Sequence, residues 1–443
     1  MSKQDVKTSS EVDVERSTET VGVAGLGYVG LSVAVAFDRT GWDVVGYDIS
    51  ESTIDRLRNG NPSSNVISER ELSDLNIHFT TDPGFVSDTD FVIIAVPTPT
   101  DDRETPNLDY VKSAGETIGE NLSPGTTVVL ESTVFPGATR EVLIPALERT
   151  SGFTAGEEFD VGYSPERISP GDQNRGIKDV IKVVSGQNRE VRERIRRLYS
   201  NVIDAGVRTA PSIEVAEMMK VFENVQRDVN IALVNELAVA CEHLGLNTDE
   251  VLEAAGTKWN FHEYSPGLVG GHCIPVDPAH YAHSTEVAGF TPQIVNTARD
   301  MNEFMTKFVT ELTIRGLNDC GKVPKESRLL VFGLSYKANV DDVRNTKVND
   351  LISELQRYDI SIAGYDPQVD DELLRSKFDI PICEEVSFDG VDGLIFTTGH
   401  DEFQSLSLED AHSKMNEAPL LVDIEDMFDA ENAERCGFAY KQL

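Results

Sequence analysis

No run of about 18 apolar residues occurs anywhere in the chain, so no membrane-spanning helix is expected. The first 19 residues, MSKQDVKTSSEVDVERSTE, lack an apolar core; they read as a disordered polar tail and not as a secretory signal. Cysteine is scarce. Five cysteines in 443 residues, at 241, 273, 320, 383 and 436, show no paired spacing. That pattern fits a reducing cytoplasm and leaves individual thiols available for chemistry. Positive charge is the other shortage: 39 Lys and Arg face 76 Asp and Glu, a formal net charge of −37. Such a field excludes nucleic acid and anionic membrane as expected partners. An anionic substrate must instead be caught locally by lysines, arginines and helix N-termini. The acidic excess is spread along the whole chain and is read as adaptation to a salt-rich cytoplasm, as in a halophile, where screening shortens self-repulsion.

What is present is a long pattern of alternating strands and helices. The segment TVGVAGLGYVGLSVAVAFDRTGWDVVGYD reads as strand, glycine turn, helix and second strand. FVIIAVPTPT (91–100), TTVVLESTVF (126–135) and FDVGYSPER (159–167) continue the series, which implies a parallel sheet covered on both faces. From Ser212 to about Gly245 one long helix is expected, with apolar positions 215, 218, 222, 225, 229, 233 and 237 at helical spacing. It reads as a spine and a dimer surface. RLLVFGLSYK (328–337), SIAGYDP (361–367) and GLIFTTG (393–399) open a second α/β region. The expected fold is α/β, with two Rossmann-like domains of parallel sheet joined by a long central helix. Its expected parts are residues 20–211, 212–310 and 311–443.

Gly25-Leu26-Gly27-Tyr28-Val29-Gly30 follows a strand and opens a helix. The first glycine permits the tight turn, the second lets backbone approach a pyrophosphate, and the third lets helix pack on strand. The helix N-terminus adds amides and a positive dipole end for the phosphates. Asp48, 18 residues after Gly30, stands where a carboxylate binds a ribose 2′-hydroxyl and repels a 2′-phosphate, so NAD is the expected cofactor. Thr98, in Pro97-Thr98-Pro99-Thr100, lies at the next strand end, where the nicotinamide half would rest.

The most unusual stretch is Pro266-Gly267-Leu268-Val269-Gly270-Gly271-His272-Cys273-Ile274-Pro275-Val276-Asp277. Glycines such as Gly270 allow close approach to a ligand, and the following proline stiffens the turn. Cys273 is the candidate nucleophile, although an unperturbed thiol is mostly protonated near neutrality and needs a polarising neighbour. Asp277, four residues on, is placed to orient water or a proton. His272, Cys273, Asp277, His280 and His283 include zinc-ligand types, but an adjacent His and Cys in an irregular loop does not match common zinc spacings, and no metal is expected. Lys220 and Asn224 share a face of the long helix; their spacing alone fits a solvated helical face better, while the pair of residue types also suits an oxyanion or a polarised hydroxyl. Glu166 and Arg167 in Ser164-Pro165-Glu166-Arg167, and Thr133 in Glu131-Ser132-Thr133, stand at the C-terminal edges of two strands, where open α/β sheets bind ligands.

With these pieces in order, the chain resembles the UDP-glucose/GDP-mannose dehydrogenase family of nucleotide-sugar 6-dehydrogenases, from Val21 onward. GLGYVG, VPTPT, ESTVFPG, SPERISPGD, EMMKVFENVQRDVNIALVNE, GLVGGHCIPVDP, ARDMN and GLSYKANVDDVRNTK carry the resemblance. It implies that Cys273 is the catalytic nucleophile with Asp277 handling a proton beside it, and that Thr133, Glu166, Lys220 and Asn224 surround the reacting carbon. It likewise implies that Arg299 contacts the sugar, that Lys337 and Arg344 close over nucleotide and cofactor, and that the central helix forms a homodimer core. Members acting on UDP-glucose typically show Gly-Gly-Ser-Cys-Phe-Pro-Lys-Asp and Asn-Pro-Glu-Phe. Here His272, Ile274, Val276, Ser164 and Arg167 depart from that pattern and are similar to the branch oxidising UDP-N-acetylhexosamines. The expected reaction is a four-electron oxidation of the sugar C6 hydroxymethyl to a carboxylate. It passes through a thiohemiacetal and a thioester on Cys273, and serves surface polysaccharide or glycan synthesis by family implication. The alternatives are a UDP-glucose 6-dehydrogenase, a two-electron β-hydroxyacid dehydrogenase and a non-catalytic nucleotide-sugar sensor.

Overall fold

The structure is a computed structural model that describes residues 19–62, 67–101, 104–168 and 175–443. Residues 1–18 of the expected polar tail lie outside the described residues, as does the end of SPERISPGD. The chain divides into two compact units: the first runs to Met218 apart from 99–106, and the second continues from Met219 to Leu443.

The first unit is built on one eight-stranded sheet of order β3-β2-β1-β4-β5-β6-β7-β8. Its strands are β1 (Thr20–Ala24), β2 (Asp43–Tyr47), β3 (His78–Thr80), β4 (Phe91–Ile94), β5 (Thr127–Leu130), β6 (Asp160–Tyr163), β7 (Lys182–Gly186) and β8 (Val207–Thr209). Every pairing is parallel except β6 with β7. A parallel return needs a long crossover; the described residues between β6 and β7 hold a single 3-10 turn, Ile177–Asp179. The central strands β4 and β5 are buried at every position, as parallel strands covered on both faces must be. Helix α1 (Tyr28–Asp38) packs Gly30–Phe37 into that core. The Phe37 ring meets Trp42 and Tyr199 edge-on, each at 5.7 Å between centroids.

The long helix is where the sequence placed it, as α2 (Ile213–Leu244), but its buried face is not the apolar stripe read from the spacing. Val215, Phe222 and Leu233 are 47%, 52% and 66% exposed. Of that stripe Val225 is buried, and the buried face otherwise carries Lys220, Val221, Asn224, Asp228 and Asn235. Apolar residues populate two faces of this helix, and periodicity alone does not say which is covered.

The second unit continues with α3 (Asp277–Val287) and α4 (Gln293–Asp319), the latter running through the expected boundary at 310. Its sheet, β9 (Arg328–Phe332), β10 (Ser361–Tyr365), β11 (Gly393–Phe396), β12 (Leu420–Asp423) and β13 (Ala439–Gln442), has order β10-β9-β11-β12-β13 and is parallel throughout. Its opening repeats that of the first sheet. Gly25 (φ 91°) donates to Tyr47 O at 2.9 Å, and Gly333 (φ 82°) donates to Tyr365 O at 2.9 Å. Among the described residues no helix is long and apolar enough to cross a membrane.

Phe37→Ala removes a ring lodged between α1 and the sheet and should destabilise the chain by about 3–5 kcal/mol, read as a lowered urea midpoint with unchanged slope.

Candidate active site

The first unit supplies a dinucleotide cradle. A side chain at Gly30 would put its Cβ 1.7 Å from Gly25 O, so only glycine lets α1 start this close to β1. At Gly27 a Cβ would meet nothing within 4 Å, leaving open space in front of the turn. Gly27 precedes α1 and makes no side-chain cap bond; a helix start of this kind suits an anion. Asp48 at the end of β2 accepts Leu26 N at 2.9 Å through Oδ2 and Ser50 N at 2.9 Å through Oδ1. Each oxygen keeps a second lone pair for a ribose hydroxyl. These residues fit NAD.

At the far strand ends, Thr98 Oγ1 donates to Thr133 O at 2.6 Å, and the Ser132 hydroxyl accepts Val96 N at 3.0 Å and donates to Val96 O at 2.7 Å. This ties the ends of β4 and β5 together. Glu166 is buried, its Oε1 accepting Arg167 N at 2.6 Å and Ile168 N at 2.8 Å, its Oε2 accepting Lys182 Nζ at 3.2 Å. Arg167 turns its guanidinium to Ile181 O at 2.7 Å. Sequence reasoning missed the partner of Glu166. Lys182, 2% exposed, lies between Glu166 and Glu131 Oε2 at 2.9 Å, and Tyr199 donates to the other Glu131 oxygen. Burial works against the Lys182 ammonium, but Glu131 and Glu166 outweigh it and hold the group above its ordinary value. A lysine at the start of an apolar strand reads in sequence as an edge residue, which hid this role.

The second unit brings together Lys220 and Asn224 of α2, the Cys273 loop and Asp277 at the start of α3. Asp277 N donates to Cys273 O at 2.9 Å, so one tight turn sets the four-residue spacing. Asn224 Nδ2 donates to Asp277 Oδ2 at 2.5 Å. Burial pushes the Asp277 carboxyl up to about 6, against Lys220 and the Asn224 bond, which oppose the rise. Cys273 is exposed, yet the surrounding protein and then the Asp277 carboxylate raise its thiol; Lys220, Arg227 and Lys337 pull the other way. Arg227 is a further residue that sequence reasoning passed over, lying one turn beyond Asn224 and two beyond Lys220 with a character indistinguishable from a solvated surface arginine.

The two glycines before the thiol serve the fold directly. A Cβ at Gly270 would lie 2.9 Å from Asn345 O, and one at Gly271 (φ 89°) would lie 2.8 Å from the Tyr336 ring. Gly271 N donates to Asn345 O at 3.2 Å. The close neighbour that demands glycine is therefore the loop after β9, which carries Lys337 and Arg344. Arg344 makes a two-point pair with Asp342, at 2.9 and 2.7 Å, and is itself 63% exposed. Arg299 on α4 donates to Asp228 at 2.7 Å and also pairs with Glu303. Of the rival metal-ligand types, His280 is fully buried within α3. Among the described residues no three His, Cys, Asp or Glu side chains are gathered as a metal site.

A glycine cradle at a helix start with a carboxylate closing the next strand marks a nicotinamide-dependent dehydrogenase. Comparison with known proteins carries this further. The NAD binding domain of the UDP-glucose/GDP-mannose dehydrogenase family matches residues 19–203, its central domain 214–304 and its UDP binding domain 330–430. The chain is 41% identical to Protein CapL of Staphylococcus aureus over 93% of its length and 96% of the relative. It is 40% identical to a UDP-N-acetyl-D-glucosamine 6-dehydrogenase of Salmonella typhi, over 94% and 97%. Its structure is similar to that of a UDP-D-ManNAc dehydrogenase from Pyrococcus horikoshii, with a TM-score of 0.85, 29% identity and coverage of 96% and 99%. The chain belongs to the UDP-glucose/GDP-mannose dehydrogenase family, and it is an NAD-dependent oxidoreductase of nucleotide sugars.

The charges around the thiol give a test that needs no substrate. A negative neighbour disfavours thiolate and a positive one favours it. Asp277→Asn should therefore move the pH midpoint of Cys273 alkylation by iodoacetamide downward, and Lys220→Met should move it upward. Peptide mapping of the Cys273 adduct measures both; shifts of equal sign would contradict the assignment.

Proposed function

We propose that the chain oxidises the C6 hydroxymethyl of a UDP-N-acetylhexosamine (glucosamine, galactosamine or mannosamine) to the uronate, with Cys273 as covalent nucleophile. The observation that carries this reading is Cys273 placed one turn before a buried Asp277 whose proton affinity has been raised to about 6, with Lys220 acting on both. A carboxylate with that affinity is mostly ionised at neutral pH and still basic enough to take a proton. The substrate class is supported by the N-acetylhexosamine names of the relatives and by His272, Ile274 and Val276 in the thiol loop.

Asp277, with Lys220 and an ordered water, removes the C6 hydroxyl proton. NAD held in the glycine cradle would supply the hydride acceptor, one molecule for each of two rounds. After the first, and once Asp277 has released the C6 proton to solvent water, the Cys273 sulfur adds to the aldehyde carbon, its proton passing to Asp277, and Lys220 and Asn224 stabilise the oxyanion of the thiohemiacetal. Loss of a second hydride leaves a thioester, which water hydrolyses to carboxylate and free thiol. Glu166 with Thr133 directs that water. Gly25, Gly27, Tyr28, Val29, Gly30, Asp48, Thr98 and Arg344 hold the cofactor, while Arg167, Lys220, Arg299, Lys337 and Gly270 line the route of the nucleotide sugar.

The same reading assigns residues 20–211 to NAD binding, 212–310 to the catalytic loop and dimerisation, and 311–443 to nucleotide-sugar binding. It also makes the protein a cytoplasmic homodimer adapted to high salt, serving polysaccharide or glycan synthesis. The exposed Val215, Phe222 and Leu233 of α2 support the dimer, since a helix seldom leaves such a stripe facing water.

Incubation with NAD and separate UDP-glucose, UDP-GlcNAc, UDP-GalNAc and UDP-ManNAc should give two NADH per sugar for an N-acetylated substrate; one NADH per sugar would support a two-electron dehydrogenase instead, and none a sensor. Cys273→Ser should abolish four-electron turnover while NAD binding persists, and full turnover in that variant would remove the thioester. Asp48→Ala loses charged hydrogen bonds worth about 1.5–3 kcal/mol, so NAD should bind roughly tenfold or more weakly and NADP be rejected less.

A further inference from the structure

A buried polar chain outside the reacting groups grips the base of the thiol loop. Asn235, fully buried on α2, accepts Gly267 N at 2.8 Å and donates to Gly267 O at 3.2 Å, holding both backbone groups of one residue with one amide. Gly267 stands six residues before Cys273. The Asn235 amide also donates to Asn302 Oδ1 on α4 at 2.8 Å. Asn302 in turn donates to Asp228 Oδ1 at 2.8 Å and to Asp228 O at 3.1 Å. Asp228 Oδ1 accepts Arg299 at 2.7 Å, and Arg299 pairs with Glu303, whose other oxygen holds Lys347 Nζ at 2.5 Å.

Spacing explains why these residues meet. Asp228 and Asn235 are two turns apart on α2, while Arg299 and Asn302 are one turn apart on α4, so each pair shares a face. Around them Val225, Ala232, Ala238, Met305 and Val309 are buried and apolar. In that setting a side-chain amide is retained only where all its bonds are made. The bonds it makes fix the entry of the thiol loop.

We infer that Asn235 and Asn302 are positioning residues for the reaction: they set where Cys273 stands by clamping Gly267, and they tie that loop to Arg299 through Asp228. The inference rests on the reading of Cys273 as nucleophile for its catalytic consequence, but not for its effect on the loop. Releasing Gly267 frees the loop to sample positions in which sulfur and sugar carbon are misaligned, and misplacement by about 1 Å costs on the order of 100-fold in rate.

Asn235→Ala should lower kcat roughly 10- to 100-fold with little change in KM for the nucleotide sugar and no change in NAD affinity. In the absence of substrate, it should also speed alkylation of Cys273 by iodoacetamide, read by peptide mapping. Asn302→Leu, which touches neither Gly267 nor Cys273, should reproduce both effects. Should Asn235→Ala fail to fold, Asn235→Asp keeps the acceptor for Gly267 N, drops the donor and carries the same readouts. A folded variant with unchanged kcat and unchanged alkylation overturns the inference, as does a loss of NAD affinity in step with kcat. If alkylation responds while Cys273→Ser retains four-electron turnover, the clamp stands and the nucleophile reading falls.

Discussion

Burial of a single carboxylate organises the surroundings of the Cys273 loop. Asp277 is almost entirely out of water, and that alone lifts its proton affinity into the range where it can both hold and release a proton near neutrality. Such a group survives only with partners, and the Asn224 amide and the Lys220 ammonium come from one face of α2. The helix must therefore present polar side chains to the interior along that face, which moves its larger apolar residues to another. Thus the exposure of Phe222 and Leu233 and the burial of Asn224 are two sides of one requirement.

The thiol sits in the same balance. Its carboxylate neighbour favours the neutral form, while three cations favour the thiolate, and the net outcome in the resting chain is a raised thiol. A protonated sulfur is protected against stray oxidation or alkylation. In the proposed reaction that proton would pass to Asp277, one turn of backbone away.

Much of this was legible from residues alone. The strand–turn–helix beginning at Val21, the terminal Asp48 and the extent of the long helix followed from periodicity and from glycine chemistry, which are local. The thiol loop stood out as a candidate because its glycine density has no local explanation; in the structure Gly270 and Gly271 make room for Tyr336 and Asn345, a contact between residues some 65 or more positions apart. The covered face of α2, Lys182 between its two glutamates, and the clamp through Asn235 were not legible. In each case a polar residue sits at a position equally suited to solvent, and only the partner brought by tertiary packing distinguishes the two. The reversal at β7 is of the same kind, since the strand itself looks like its parallel neighbours.

The cations Lys220, Arg227 and Lys337 that act on the thiol stand within a molecule carrying a large surplus of negative charge. Their attraction for a diphosphate is felt over a few ångströms, whereas the repulsion of the remaining surface reaches out to about a Debye length, roughly 10 Å at 0.1 M salt and 3 Å at 1 M. Added electrolyte trims the long-range term far more than contacts made at van der Waals distance. An anionic sugar nucleotide should thus enter more readily as ionic strength rises, the reverse of what is usual for a protein that binds phosphates through a basic surface.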